Sequence, residues 1–502
     1  MDENLGLSEK EIIEFRKKKL DKIKAKKLNP YPSKSERDHT CAEVLDNQKP
    51  LIQKATNVIV AGRLMAMRGH GKLVFADLVD QTGKLQVALK EDILGKEFEI
   101  VELVDAGDFI EVSGPLFITK MGETTVKVEK LKILTKTLRP LPDIWHGIQD
   151  EEKRYRNRYL DILLNPDLKD LFVKKAKFWQ TIRDFMIEKG FLEVETPVLE
   201  NTCGGADANP FVTHHDYLDI DVYLRISMGE LWQKRLMVAG FDKTFELGRQ
   251  FRNEGVSREH LQDYSQMEFY WAYANYNDSM ALVEEMFKRV AKNVFGTYKF
   301  TMNGHEVDFD QKWEKIDYTT AINEAYKIDV LKMSEADLKK LLREKKIDFR
   351  TSDRKGRLID LLWKQIRRDI AGPAFLVNHP VEVSPLAKRK EDNPGLTERY
   401  QVLIAGSENG NGYSELNDPI DQAERFAEQN KMREAGDIEA QMHDQEFVEA
   451  LEYGMPPTTG FGVSERLFAF MVDKPVRECV MFPLLKPEKP QNKVKRVRKN
   501  KL

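Results

Sequence analysis

Cysteine is scarce in this chain of 502 residues: Cys41, Cys203 and Cys479 stand far apart, with no CxxC and no Cys/His pairing. That spacing excludes a disulfide framework, argues against a zinc site and fits a reducing compartment. Long apolar runs are missing too. No stretch reaches the roughly 18 consecutive apolar residues of a membrane span. The acidic start MDENLGLSEKEIIEF lacks the basic-then-apolar order of a signal peptide, so the sequence reads as cytoplasmic. A dominant charge sign is absent: 80 Lys and Arg face 83 Asp and Glu, a net −3, so any affinity for a polyanion must be local. There is no GxxxxGK[ST], hence no P-loop, and no Ser/His/Asp set is evident. What is present is charge (32%) beside 41% apolar residues, the balance of a soluble globular protein with core enough for several domains.

The chain divides at visible seams. Residues 8–27, SEKEIIEFRKKKLDKIKAKK, predict a basic helix with a thin apolar stripe of Ile12, Ile13, Leu20 and Ile23, ended by NPYPS. Two readings stay open within this 1–55 extension: a solvated helix, or one lying along a phosphate backbone. Residues 56–138 read as five short strands: VIVAGRLMAM, KLVFADLVD, KLQVALK, DFIEVSGPLFI and TTVKVEKLKIL, with DQTG and KMGE as turns. Strands this short in about 80 residues suggest a small closed barrel of the OB type, a common binder of single-stranded nucleic acid. Phe75 and Gln86 are candidates for stacking on a base and bonding its edge; barrel core is the alternative for Phe75.

A proline-punctuated linker, 139–150, precedes an α+β unit at 151–487. DLKDLFVKKAKFWQTIRDFMIEKG places Leu168, Leu171, Phe172, Ile182, Phe185 and Met186 at helical spacing, with Gly190 closing the helix. FLEVETPVLE predicts a strand halted at Pro197. An insertion at about 331–372 carries two charged helices, the first opened by Ser334 with Asp337 three residues on. The tail 488–502 is basic, apolar-poor and reads as disordered.

Four stretches carry chemistry. FELGRQFRNEGVSREHLQDYSQMEFY predicts strand, loop, strand. Arg252 and Glu254 share one face by parity, as do Glu268 and Tyr270, and an antiparallel pair would merge them into one polar patch. Such charge needs solvent or a charged ligand. The loop Gly255–Asp263 is therefore either a surface hairpin or a cover for a phosphate chain, with Arg258 and His260 donating. GSENGNGYSELND sets Glu408 and Glu415 around Gly410, Asn411 and Gly412. This is either an Asn/Gly hairpin turn with incidental acids or a Mg²⁺ site, since Mg²⁺ takes one or two carboxylates plus phosphate oxygens. GMPPTTGFGVSERL places glycines before Arg466 and an apolar run, a weak signal for an anion site at a helix N-terminus. RISMGELWQKRL holds Glu230 among apolar neighbours, where an exposed helical glutamate is the plain alternative.

The order GFLEVETPVLE, FRNE with its hairpin, then GFGVSER resembles the three motifs of class II aminoacyl-tRNA synthetases. With LNPYP, GRLMAMRGHGKLVFADL, THHDYLDIDVYLRI, VEVSPLAK, NGNGYSELND and VRECVMFPLLKP, the chain resembles the class II lysyl-tRNA synthetases over nearly its whole length. The resemblance implies an antiparallel-sheet catalytic domain behind an OB-fold barrel. It also implies a homodimer through motif 1 (167–200), and ATP, L-lysine and tRNA(Lys) as substrates with Mg²⁺. By resemblance Arg252 bridges the amino-acid carboxylate and the ATP α-phosphate, and Arg466 clamps the far end of ATP. Glu254 lies near the adenine edge, Tyr264 stacks on adenine, and His260 meets the terminal phosphates. Glu408 and Glu415 hold Mg²⁺. Gly205 and Glu268 hold the α-amino group, and Glu230 and Tyr270 the side-chain ammonium. Asn411, Tyr413 and Glu415 line that pocket, and Phe75 and Gln86 match anticodon readers. The chain departs from the family pattern by one extra residue before Glu230, and at Leu261 and Gln266. A synthetase for aspartate or asparagine, or a non-catalytic nucleic-acid-binding protein on the same scaffold, are the alternatives.

Overall fold

The computed structural model describes residues 7–69, 71–142, 147–351, 353–434 and 442–488. The basic tail from residue 489 onward lies outside the described residues. The chain forms two compact units, Met1–Asn165 and Pro166–Leu502. No helix of the described residues is long and apolar enough to cross a membrane.

In the first unit, six strands form the barrel: β1 (Asn57–Arg68), β2 (Leu73–Val79), β3 (Lys84–Lys90), β4 (Phe109–Ile118), β5 (Thr124–Lys127) and β6 (Lys130–Thr135). Their order is β1-β2-β3-β5-β4-β6, and pairing of β1 with β4 closes a ring of five with β6 added beside β4. The segment read as a single fifth strand is thus two, parted at Val128–Glu129. Valines and leucines that alternate along these strands fill the interior, among them Val58, Val60, Leu78, Val87 and Val112. Closure removes the free edges that a small open sheet would expose.

The basic helix spans Glu9–Ala25 and opens on a Ser8/Glu11 capping box. It is docked rather than free. Ile12 and Ile23 are buried, and the Arg16 guanidinium donates to Thr137 Oγ1 (2.9 Å) and to the carbonyls of Ala106 (3.0 Å) and Arg139 (3.1 Å). Its exposed face keeps Lys10, Lys17, Lys18, Lys22 and Lys24. Phe75 is half-buried rather than core. Register sets it opposite Arg68 on β1, while Gln86 on β3 lies opposite Asp77, two residues along β2 from Phe75, so Phe75, Asp77 and Gln86 share one face. Arg68 donates to Asp77 at 2.8 Å; Gln86 donates to Glu123 (2.6 Å) and accepts from Thr125 (2.8 Å).

The second unit is built on an eight-stranded sheet. Its strands are β7 (Leu192–Glu193), β8 (Lys243–Phe251), β9 (Asp263–Ala272), β10 (Glu314–Asp317), β11 (Ala374–Val377), β12 (Arg399–Ile404), β13 (Ser407–Ser414) and β14 (Thr458–Ser464). The order is β10-β11-β12-β13-β14-β9-β8-β7, antiparallel except at its two ends. Helix Pro166–Glu188 buries the predicted residues, Leu168 through Met186. The strand predicted at FLEVETPVLE is reduced to Leu192–Glu193 and Leu199–Glu200. Between them Thr196 turns its N–H and hydroxyl to the Glu246 carboxylate (3.1 and 2.6 Å) instead of joining a ladder. The insertion helices Glu335–Glu344 and Lys355–Ile366 form as predicted, the first with its Ser334/Asp337 box, and pack Leu338, Leu342, Leu358 and Leu362 with Leu376 and Leu403 of the sheet.

Candidate active site

The middle of the sheet explains the site. β14 lies between β9 and β13, and its glycines stand opposite bulky polar residues on both sides. Gly460 faces Tyr270 and Tyr413, and Gly462 faces Glu268 and Asn411. A methyl group on Gly460 would lie 2.6 Å from the Tyr270 ring and against the Glu415 carboxylate. The glycines read as a helix-opening anion site are therefore strand residues that keep a hollow open between two walls. Likewise SENGNGYS is not a turn but strand β13, with Gly410 and Gly412 packed on the rings of Phe461 and Tyr400. Gly460→Ala is expected to destabilise the fold by about 1–3 kcal/mol in a denaturant titration, the usual cost of overpacking of this kind.

A cavity of about 320 Å³ opens over these glycines, lined by Gly205, Glu230, Arg252, Tyr264, Glu268, Tyr270, Glu408, Asn411, Tyr413, Glu415 and Arg466. Its two ends differ in charge. One end holds three buried carboxylates, Glu230, Glu268 and Glu415. Glu268 accepts only neutral donors: Met228 N–H (3.0 Å), Gln266 Nε2 (2.5 Å) and Tyr270 OH (3.1 Å). Burial, then the nearby Glu230 charge, pushes its carboxyl up to about 7. Glu230 opens helix Glu230–Val238; its Oε1 accepts from Tyr413 OH and, at 2.7 Å, from Lys234 Nζ. Lys234 Nζ also lies 2.5 Å from Glu415 Oε2, in ionic contact. Burial raises Glu415 well above the usual carboxylate range, and Lys234 opposes that shift. Gly229, just before Glu230, has a left-handed backbone (φ 66°) and packs closely on Thr196, so it admits no side chain.

The other end is guanidinium-rich. The strand predicted to carry Arg252 and Glu254 stops at Phe251, so both residues lie in the loop beyond it. Among the described residues the Arg252 side chain makes one hydrogen bond, Nε to the Ile226 carbonyl (3.4 Å), and its guanidinium stands 5.8 Å from the Tyr264 ring centre. Arg466 Nη1 donates to the Glu408 carbonyl (3.0 Å), while its buried Nε has no hydrogen-bond partner. Glu408 accepts from Trp363 Nε1 (2.9 Å), with Arg367 at 3.7 Å. Glu254 and His260 line a smaller adjoining cavity that shares Arg252, Tyr264 and Arg466 with the first; Leu261, one of the departures, is in its wall. Burial lowers His260 below its ordinary value, and the Arg466, Arg252 and Arg367 charges add to this against Glu259.

Sequence reasoning thus located both ends but missed four residues. Lys234 is four residues from Glu230 on one helix, a spacing that could have flagged an ion pair. Arg399, which fixes Asn411 (2.8 Å), and the pair Trp363 and Arg367 come from distant segments and left no local signal. Gln266, a departure from the family pattern, bonds the Glu268 carboxylate.

An antiparallel sheet whose central strands carry one cavity, in one chain with an OB barrel, is the arrangement that the motif order of class II aminoacyl-tRNA synthetases implies. Residues 150–486 match the family described as tRNA synthetases class II (D, K and N), and residues 58–134 match the OB-fold nucleic acid binding domain. The chain belongs to this class II family. It is 43% identical to a lysine-tRNA ligase of Thermotoga maritima and 44% identical to one of Clostridium perfringens, in each case over 96% of this chain and 97% of the relative. It is also 42% identical to a lysine-tRNA ligase of Thermosipho africanus, over 95% of this chain and 97% of the relative.

Proposed function

We propose that the protein is a lysine-tRNA ligase. It joins L-lysine to ATP as lysyl-adenylate, releasing pyrophosphate, and passes the lysyl group to the 3′ end of tRNA(Lys). The observation that carries this reading is charge balance. When all three buried carboxylates are ionised they face one internal ammonium, Lys234, so full ionisation of this end requires two further positive charges from the ligand. Lysine brings two, its α-amino and side-chain ammonium groups. Aspartate or asparagine would leave buried charge uncompensated, at a cost of several kcal/mol.

The mechanism follows from placement. Gly205 and Glu268 take the α-amino group, Glu230 and Tyr270 the side-chain ammonium, with Asn411 and Tyr413 beside them. The lysine carboxylate then points toward Arg252. Its oxygen attacks the α-phosphorus of ATP, the bond to the pyrophosphate oxygen breaks, and pyrophosphate leaves. No protein base is needed because the carboxylate is already ionised. Arg252 and Arg466 offset the charge that otherwise repels it. Tyr264 and Glu254 bound the adenine, and His260 the terminal phosphates. In the second step the tRNA 3′-hydroxyl attacks the lysyl carbonyl carbon and AMP leaves.

Glu408 and Glu415 are hard oxygen donors of the kind Mg²⁺ takes, but they stand at opposite ends of the cavity, and of the two Glu408 would be the one to hold Mg²⁺ beside the phosphates. Among the described residues no group of three or more His, Cys, Asp or Glu could hold a metal, so substrate phosphates would complete its shell. Glu408 stands at the guanidinium end; Glu415 is committed to Lys234. Mg²⁺ supplies neutralisation of triphosphate charge.

Amino-acid-dependent ATP–pyrophosphate exchange with all twenty amino acids tests the reading. Exchange with lysine alone supports it, and exchange driven by aspartate or asparagine overturns it. On the barrel, Phe75 and Gln86 read anticodon bases. Phe75→Ala should weaken tRNA(Lys) binding about tenfold or more, since one stacked base is worth roughly 1–3 kcal/mol; unchanged affinity in a filter-binding titration would remove Phe75 from this role. A second copy of the chain covers the exposed apolar residues of motif 1, among them Val173, Ile187, Leu192 and Leu199. Sedimentation at micromolar concentration should give a dimer, and a monomer would refute the assignment.

A further inference from the structure

We infer that Lys234 is a positioning residue that sets the charge and aim of the lysine pocket. The inference rests on the lysine-activating reading and deepens it. Lys234 is 1% exposed, lies on the first turns of helix Glu230–Val238, and reaches no solvent. Its ammonium is wedged between Glu230 (2.7 Å) and Glu415 (2.5 Å), with the rings of Tyr413 (5.3 Å) and Phe447 (5.8 Å) around it. Aromatic faces favour a cation at such distances. A buried lysine is unusual unless paired, and here it is paired twice.

The geometry says what the pairing does. Lys234 and the Tyr413 hydroxyl both engage Oε1 of Glu230, which leaves Oε2 unengaged among the described residues. Glu230 therefore cannot turn both oxygens inward and presents one to the cavity it lines. Lys234 does not touch Glu268, whose partners are all neutral. The internal cation thus satisfies one carboxylate's worth of charge, holds Glu230 and Glu415 in fixed orientation, and leaves the remaining demand for two ammonium groups on the ligand. An amino acid with only the α-amino group leaves that demand half met. Lys234 acts on specificity through the carboxylates and not by touching the reacting atoms.

The test uses the full-length enzyme in lysine-dependent ATP–pyrophosphate exchange, with Lys234→Met, Lys234→Ala and Lys234→Arg. Lys234→Met comes within one atom of the lysine's length and removes the charge. It is expected to raise the KM for lysine at least tenfold, to leave the KM for ATP within twofold, and to narrow the preference for lysine over its neutral analogue norleucine at least tenfold. Lys234→Ala opens a hole the shape of the deleted group. Added n-propylammonium should lower the KM for lysine in that variant, whereas in the wild type it should raise it by competing with the substrate. That opposite sign separates charge positioning from a loss of packing. A KM for lysine within twofold of wild type in both variants, or parallel rises for lysine and ATP with no response to n-propylammonium, overturns the inference. If Lys234→Met does not fold, Lys234→Arg decides: a KM for lysine within threefold of wild type supports the role of the charge, and a tenfold rise refutes it. Wild-type enzyme showing no lysine-dependent exchange would instead refute the functional reading on which the inference stands.

Discussion

Arg252→Ala should lower the rate of lysine-dependent pyrophosphate exchange by about 10²–10³-fold, the usual effect of deleting one preorganised donor at a site of developing charge. The loss should fall on kcat, because the guanidinium meets the transferring phosphoryl group most strongly in the transition state. Stability should scarcely change. Among the described residues the Arg252 side chain makes one hydrogen bond, Nε to the Ile226 carbonyl, while its backbone N–H donates to the Gln262 carbonyl at 2.7 Å, a bond the substitution keeps. A residue so lightly engaged, half-buried at the mouth of a cavity, contributes little to folding. Arg252→Lys should not restore the rate, since an ammonium cannot bridge a carboxylate and a phosphate with parallel N–H groups. Activity near the wild-type level in Arg252→Ala would remove this residue from the mechanism.

Glu268→Gln should raise the KM for lysine roughly 30- to 5000-fold while leaving that for ATP within threefold. Removing one partner of a buried, hydrogen-bonded charge pair costs about 2–5 kcal/mol. Glu268 is the best placed of the three carboxylates to show this, since no protein cation shares it. Its neutral neighbours Met228 N–H, Gln266 and Tyr270 should accept the amide, so the fold should survive the change. A pH series adds a second reading. The Glu268 carboxyl is raised to about 7, so below that pH it carries a proton which an incoming ammonium must displace. The KM for lysine in the wild type should therefore fall as pH rises toward 7 and level off above it. In Glu268→Gln that slope should vanish. A wild-type KM flat from pH 5.5 to 8, or the same slope in the variant, would refute the assignment.

The same group bears on stability with a definite sign. A carboxyl whose folded pKa lies above its unfolded value favours the folded state only while protonated. Glu268 therefore costs stability as pH rises from the ordinary carboxylate range through about 7. A bound ammonium cancels that cost, so added lysine should protect the protein most near and above neutral pH.

Local pattern carried much of the architecture. Alternation gave the barrel strands, period 3.6 gave helix Pro166–Glu188, and Ser334 with Asp337 marked a helix start that the capping box fulfils. It failed where side chains compete with the ladder. Thr196 bonds Glu246 instead of extending a strand, and Val128–Glu129 splits what looks like one strand. Parity placed Arg252 and Glu254 on a strand because their spacing fits one, but β8 ends a residue earlier and the loop takes them. The glycines around Phe461 were read for what they permit locally, when their purpose lies in the strands on either side.

By itself the sequence determined the order of motifs and the types of residue at the cavity, because these depend on composition, spacing and resemblance along one chain. Only the tertiary structure decided which charges meet. That Lys234 pairs with both Glu230 and Glu415 while Glu268 keeps neutral partners among the described residues depends on a helix, β9 and the end of β13 converging from positions up to 185 residues apart. The strength of a charge interaction depends on distance and burial in space, which spacing along the chain does not encode.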